Sequence, residues 1–236
     1  MSTLRGVLEN PLLSVVMPAF NESATIEEIV RRVLAVPVRT QLIVVDDAST
    51  DGTRDILVKL QEQLGFTLLL QPRNQGKGAA LRRGFEAVSG DLVVIQDADL
   101  EYSPEEFPML IELICQGRAD VVYGSRFLGR HRVFLFSHYL GNRALTLLTN
   151  ILYNTMLSDM ETCYKVMRTE VLRSMTLRSN GFGIEPELTA KIFKRGYRVY
   201  EVPITYDGRG YDEGKKIGWR DGIVAFWVLL RYRFTE

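Results

Sequence analysis

The chain has 236 residues, 46% of them hydrophobic and 25% charged, an ordinary globular composition with enough length for a sizeable core. Its 29 basic and 29 acidic residues balance, which offers no basis for nucleic-acid binding. No charged start leads into a long apolar run and no stretch reaches about 18 uninterrupted apolar residues, so the expectation is a chain that is neither exported by a standard signal nor threaded through a bilayer.

After a loose start over residues 1–10, Leu12–Met17 is predicted as a strand stopped by Pro18, with Pro18-Ala19-Phe20-Asn21-Glu22 as the loop beyond it. Ile26, Ile29, Val30, Val33 and Leu34 follow at helical spacing, with Thr25 and Glu28 in capping-box register. Leu42–Val45 is a second buried strand ending in Asp46-Asp47. Ile56, Leu57, Leu60 and Leu64 mark a helix that Gly65 stops. Thr67–Leu70 is a third strand, Asn74-Gln75-Gly76-Lys77-Gly78 a polar loop, and Leu81, Phe85 and Val88 a short helix. The fourth strand, Leu92–Ile95, runs into Gln96-Asp97-Ala98-Asp99. This β-α-β-α-β-α-β order with short connections predicts an α/β fold, a mainly parallel sheet flanked by helices, with ligands beyond the strands' C-terminal ends.

The second half changes character. Pro104–Gln116 is predicted as a helix and Val121–Tyr123 as a strand ending in Gly124-Ser125-Arg126. Residues 127–157 are aromatic and apolar with Arg130, Arg132 and Arg143 interspersed. They read as helices that pack on the domain or dip into an interface, a dimer face being the alternative. His131 and His138 in this stretch read as surface or interface residues. Ser158–Arg168 is a polar loop entering a strand, in which Lys165 is either a phosphate contact or a surface residue. Gly183–Leu188 opens a helix, Arg198–Tyr206 is an edge strand interrupted by Pro203, and Asp207–Trp219 is a charged, glycine-rich segment. The last helix, Asp221–Phe234, carries Ile223, Phe226, Trp227, Leu229 and Leu230 among Arg220, Arg231 and Arg233, a pattern suited to a membrane surface. Cys115 and Cys163, far apart and without a CxxC pair, fit reduced thiols.

Three strand ends carry polar clusters. Asp97 and Asp99 at i and i+2 point to one side of an extended chain, and their repulsion calls for a cation, a proton or solvent. Hard ions such as Mg²⁺ or Mn²⁺ suit such ligands, and a solvated acidic loop is the bland alternative. Asp46 and Asp47 fit either a ribose contact or simple helix N-terminal charge. No GxGxxG or GxxxxGK[ST] follows the first strand, against a dinucleotide fold or P-loop NTPase. The glycine-flanked Lys77 loop could cradle a phosphate.

In order and spacing, Val16-Met17-Pro18-Ala19-Phe20-Asn21-Glu22, Val44-Val45-Asp46-Asp47-Ala48-Ser49-Thr50-Asp51-Gly52-Thr53 and Asp97-Ala98-Asp99 resemble the motifs of the family 2 glycosyltransferases with a GT-A fold. Asn74–Gly78, Gly124-Ser125-Arg126, Lys165-Val166-Met167-Arg168 and the Gly208–Gly218 segment are similar to those of the dolichol- and polyprenyl-phosphate sugar transferases. The resemblance implies donor binding by Pro18, Ala19, Asn21, Glu22, Asp46, Asp47, Lys77, Asp97, Ala98 and Asp99. It implies Mg²⁺ or Mn²⁺ on Asp97 and Asp99, with Glu101 as a third metal-side ligand where some relatives have Gln. Arg126, Arg143, Arg209 and Lys215 would meet phosphates. Asp99, Arg126 and Asp159 would be the catalytic set, Asp159 acting as base or acceptor-orienting residue, alone or with Glu161, or merely as a turn cap.

The activity so implied is inverting transfer of a hexose from a UDP- or GDP-sugar to a polyprenyl or dolichyl phosphate. The expected setting is peripheral, on the cytoplasmic face of a membrane. One catalytic domain is expected over 1–236, with a nucleotide half (12–101), an acceptor half (102–219) and an amphipathic terminal helix (220–236). Acceptance of a soluble saccharide is the runner-up. A non-catalytic membrane- or partner-binding relative is weaker, because Asp97 and Asp99 are intact.

Overall fold

The computed structural model describes residues 6–132, 135–208 and 218–235. The first half runs β1 (Leu13–Ala19), α1 (Ile26–Ala35), β2 (Thr40–Asp46), α2 (Thr53–Leu64), β3 (Thr67–Leu70), α3 (Lys77–Glu86) and β4 (Leu92–Ile95). The second half runs α4 (Phe107–Cys115), β5 (Val121–Ser125), α5 (Phe136–Tyr153), β6 (Lys165–Arg168), α6 (Thr169–Arg173), α7 (Ile184–Lys194), β7 (Val199–Pro203) and α8 (Trp219–Phe234). The strands form one sheet in the order β3-β2-β1-β4-β6-β5-β7. Only β6 opposes the common direction, pairing antiparallel with both β4 and β5. The uninterrupted apolar runs of β1, β2 and β4 are buried because helices cover the sheet.

Strand order reverses direction at β1. The chain builds outward through β2 and β3, then returns to lay β4 on the other side of β1, with Val16 opposite Ile95. The crevice between the C-terminal ends of β1 and β4 is therefore where this topology leaves room for a ligand.

Several local expectations are corrected. Thr25 precedes α1 without a side-chain cap; its hydroxyl donates to the Ala98 carbonyl at 2.7 Å and ties the helix entry to the acidic turn. The Ser158–Arg168 stretch does enter a strand, β6, and for all its polar residues it is largely buried. Lys165 is neither a surface residue nor a phosphate contact: it is fully buried, and its ammonium donates to the carbonyls of Met160 and Thr162. The edge strand stops at Pro203, and Tyr206 instead makes isolated bridges to Tyr102 and His131. The short helix α6 lacks the length for a periodic signal.

The helices α5, α7 and α8 pack on one another. Tyr153 donates to the Leu229 carbonyl at 2.7 Å, and the Lys191 ammonium lies 4.3 Å from the Tyr232 ring centre. Ala225, Leu229 and Tyr232 form the buried side of α8, while Trp219, Ile223, Val224, Trp227 and Phe234 are exposed. No described helix is long and apolar enough to cross a membrane.

The start of β5, the end of β6 and the start of β7 meet at one buried residue, Asp120. Asp120 accepts from the Arg198 backbone at 2.9 Å and from its guanidinium at 2.8 and 3.1 Å, while the Asp120 carbonyl accepts from Arg168. Burial works to raise the Asp120 carboxyl, but the hydrogen bonds from Arg198 hold it below its ordinary value. Asp120→Ala should cost about 2–3 kcal/mol at pH 7, less than the ~3–5 kcal/mol of a fully buried pair, because the Arg198 side chain keeps 29% exposure. A depressed carboxyl stabilises above its unfolded value and loses that contribution as pH falls through its folded one. The deficit measured by urea unfolding should therefore shrink below about pH 4.

Candidate active site

A cleft of about 960 Å³ opens at the β1/β4 crevice. Pro18, Ala19, Phe20 and Glu22 line it from β1, Asp47 from β2, Lys77 from α3, and Asp97, Ala98, Asp99 and Glu101 from the turn after β4. Three non-glycine residues just past these strand ends are left-handed: Asn21 (φ 52°), Ala48 (φ 61°) and Leu100 (φ 64°). Such conformations cost of order 1–3 kcal/mol each and need support from their surroundings. Asn21 receives it from Ser49 and Thr50, whose hydroxyl and backbone N–H meet its N–H and Oδ1 at 3.0 and 2.8 Å. Ala48 is flanked by the Ser49 N–H to Asp46 bond, and Leu100 by the Glu101 N–H to Asp99 bond, both 3.2 Å.

Lys77 bridges two carboxylates, Asp97 at 2.8 Å and Glu185 at 2.7 Å. Burial alone would lower its ammonium, but the charges of Asp97 and Glu185 outweigh this and hold it well above its ordinary range. The flanking glycines admit a neighbouring loop rather than form a phosphate cradle. A Cβ on Gly76 would stand 2.6 Å from the Asn180 carbonyl oxygen, and one on Gly78 would overlap that of Ser179. Close packing of these backbones seats Lys77 against the acidic turn.

The two aspartates after β2 divide. Asp46 is fully buried, does not line the cleft, and pairs with Arg54 at 2.6 Å. Asp47 reaches the cleft wall, but its carboxylate already accepts from the Gln71 side chain and from the Gln75 and Gly76 N–H groups at 2.7–2.8 Å. It organises the Lys77 loop from beneath.

Arg126 lines the cleft and is bound bidentately by Asp159, at 2.7 and 2.8 Å. Its guanidinium also lies 5.1 Å from the Tyr206 ring centre. Asp159 is fully buried and outside the cleft lining; burial would raise its carboxyl, but the Arg126 charge holds it low. The Arg126 N–H and Asn142 complete its partners. Of the base, acceptor-orienting and turn-cap readings of Asp159, this engagement suits an orienting one, since its carboxylate holds Arg126. Arg143 is exposed outside the lining, donating to the Ser158 carbonyl. Arg209 and Lys215 lie outside the described residues.

Reasoning from sequence passed over Glu185 and gave Glu161 second place to Asp159. Both line the cleft, and each has one oxygen, Glu161 Oε1 and Glu185 Oε2, that is buried without a hydrogen-bond partner among the described residues. Burial and then the Glu185 charge push Glu161 up to about 7. Cys163 also lines the cleft, as does His138, which the sequence reading left at the surface or an interface. Leu145 of α5 and Ile223 and Phe226 of α8 line the same cleft. Only the cleft's outline joins these distant segments, so no local signal could have gathered them.

The hard oxygens of Asp97 and Asp99 fit a divalent cation completed by phosphate and water oxygens. Glu101, the expected third ligand, lines the same cleft. Among the described residues no three His, Cys, Asp or Glu side chains form a group that could hold a metal, and Glu101 accepts the Tyr206 hydroxyl at 2.6 Å.

The family model described as Glycosyl transferase family 2 matches residues 14–176. The chain is 31% identical over 219 residues to the low-salt glycan biosynthesis hexosyltransferase Agl6 of Haloferax volcanii, covering 89% of this chain and 52% of that one. It is 30% identical to the dolichol-phosphate mannosyltransferase of Pyrococcus furiosus, covering 87% and 59%. It is also 30% identical to the undecaprenyl-phosphate mannosyltransferase of Micrococcus luteus, covering 92% and 97%. The chain thus spans between half and three fifths of the length of the first two relatives, and nearly all of the third. Among solved structures, glucosyl-3-phosphoglycerate synthase from Mycobacterium tuberculosis, in complex with Mn²⁺, UDP and phosphoglyceric acid, superposes with a TM-score of 0.75 at 25% identity, covering 95% of this chain and 79% of that one.

The folded chain keeps Glu161 protonated up to about pH 7, whereas an unfolded glutamate ionises near ~4.3. Between those values the folded state binds the extra proton, so stability falls as pH rises. Glu161→Gln should therefore raise the melting temperature at pH 8 and change it little near pH 4. A shift of equal size at both pH values would contradict the assignment.

Proposed function

The chain belongs to glycosyl transferase family 2, and from that premise we propose that it transfers a hexose from a UDP- or GDP-sugar to a polyprenyl phosphate at a membrane surface, with inversion. One observation carries this reading: the Asp97/Asp99 pair, a buried, carboxylate-aimed Arg126 and apolar residues of α5 and α8 line a single cleft. The acidic pair suits a donor diphosphate, Arg126 an acceptor phosphate and the apolar residues a lipid tail. Two relatives are named for dolichol and undecaprenyl phosphates, and the solved neighbour for Mn²⁺ and UDP, which supports both halves of the proposal.

Asp97 and Asp99 would hold Mg²⁺ or Mn²⁺, which supplies charge neutralisation on the departing nucleoside diphosphate. Lys77 stands ready beside Asp97 to turn toward the same phosphates. Arg126, fixed by Asp159, grips the acceptor phosphate through its planar fork. A phosphate oxygen then bonds to the anomeric carbon as the carbon–oxygen bond to the diphosphate breaks on the opposite face. With a second pKa near about 6, a phosphate monoester is largely dianionic at neutral pH. It needs positioning more than a base, which agrees with an Asp159 that orients rather than abstracts.

The exposed residues Leu140, Leu147 and Ile151 of α5 and Trp227 and Phe234 of α8, with Arg143, Arg220, Arg231 and Arg233 nearby in sequence, fit peripheral contact with an anionic membrane. The free thiols of Cys115 and Cys163 agree with its cytoplasmic face. Because the inner side of α8 is buried in the fold, substitution tests this contact better than deletion of the helix. Trp227, 63% exposed, is outside the cleft lining. Trp227→Glu should reduce co-sedimentation with anionic vesicles several-fold and leave donor binding unchanged; equal loss of both would point to a structural role.

The reaction itself is tested by offering labelled UDP-glucose, UDP-GlcNAc, UDP-galactose and GDP-mannose with a short polyprenyl phosphate. One donor should yield label extractable into organic solvent. EDTA and Asp99→Ala should each abolish it, with the circular-dichroism spectrum unchanged. Full turnover in EDTA would remove the metal from the proposal, and transfer only to a water-soluble saccharide would replace the acceptor.

A further inference from the structure

Glu161 has no part in the steps above, yet it lines the cleft with Asp97, Lys77, Glu185 and Arg126. Its Oε1 is shut from solvent and meets no donor among the described residues, and Glu185 Oε2 on the same cleft is in the same condition. Buried acceptors are nearly always satisfied, so two orphaned oxygens lining one cleft call for a ligand that brings donors. An anion is a poor candidate, because Glu161 and Glu185 already repel each other. A protein-held metal is a poor one too, because no third ligand joins them among the described residues. Neutral hydroxyl groups remain.

The position of Glu161 says which hydroxyls. Glu185, whose charge acts on Glu161, is linked by Lys77 to Asp97, and Arg126 lines the same cleft. Glu161 thus shares one cleft with the seat assigned to the donor diphosphate and the seat assigned to the acceptor phosphate. In a direct displacement the transferred group has to lie between those two. We propose that Glu161, with Glu185 beside it, accepts hydrogen bonds from hydroxyl groups of the transferred hexose and so selects the sugar. This rests on the nucleotide-sugar reading above. A site built around such bonds discriminates strongly against a sugar lacking the matching hydroxyl, because its buried acceptors are then left bare.

The test compares dissociation constants, by titration calorimetry in Mg²⁺, for UDP against UDP-glucose and GDP against GDP-mannose. It uses the full chain and its Glu161→Gln and Glu161→Ala variants. At pH 8, where Glu161 is ionised, Glu161→Ala should weaken the nucleotide sugar about tenfold or more, the weight of a hydrogen bond to a charged acceptor, and leave the nucleoside diphosphate within about twofold. Glu161→Gln, which keeps a carbonyl oxygen, should lose less. Unchanged diphosphate binding also certifies the fold of each variant. Equal weakening of both ligands would overturn the proposal and assign Glu161 to the nucleotide or the scaffold. No change in either would overturn it as well, leaving Glu161 to serve the acceptor. A wild-type chain that binds neither UDP nor GDP would defeat the nucleotide-sugar reading itself, a failure distinct from the other two.

Discussion

The ion cluster of Lys77 with Asp97 and Glu185 is the contact on which the cleft depends. It joins three places far apart in the chain: the first residue of α3, the turn after β4 and the first turn of α7. Lys77 and Glu185 are largely buried, and burying charges costs more than their attraction easily returns. Such a cluster is therefore better understood as a device for position than as a source of stability. It sets the distance between the half of the chain that carries the acidic turn and the half that carries Arg126, and it keeps a cation beside the acidic pair.

The second charged pair works the same way from the opposite wall. Asp159 holds Arg126 by two hydrogen bonds, and its own backbone is held in turn. The N–H groups of Ser158 and Asp159 both donate to the Glu201 carboxylate from β7 at 2.9–3.2 Å. Ser158 also meets Ser125 at 2.6 Å, just before Arg126. A chain of fixed groups thus runs from the edge strand to a guanidinium in the cleft. The left-handed Asn21, Ala48 and Leu100 are the backbone counterpart of this arrangement. Each turns the chain sharply where a strand must release its polar end into the crevice, and the strain is tolerated because side chains from neighbouring turns hold it.

Much of the fold was legible in sequence because its signals are local. Apolar runs such as Leu42–Val45 and Leu92–Ile95 become buried parallel strands wherever helices cover both faces, and alternating strand and helix leave few topologies. The acidic turn Asp97–Asp99 was found for the same reason, since two carboxylates at the end of a buried strand are visible without knowing their neighbours. What failed were readings that depended on surroundings. Lys165 looked like any lysine after a polar loop, yet it is fully buried and spans two carbonyls. Thr25 had the spacing of a capping box, but its side chain makes no cap and instead donates its hydroxyl to the Ala98 carbonyl. The glycines around Lys77 suggested a phosphate cradle, and they instead let residues 179–181 approach.

By itself, then, the sequence determined where strands and helices form, which strand ends carry acids, and the family to which the chain belongs. These follow from periodicity and motif spacing, which are properties of neighbouring residues. Only the tertiary structure decided what each charge does: that Asp46 is buried against Arg54, that Asp159 orients Arg126, that Glu101 meets Tyr206, and that Glu161 faces the cleft with an unsatisfied oxygen. A carboxylate's role is set by the donors and charges within a few ångströms of it and by how much water remains there. Those neighbours come from residues tens of positions away, so spacing along the chain does not encode them in any readable form.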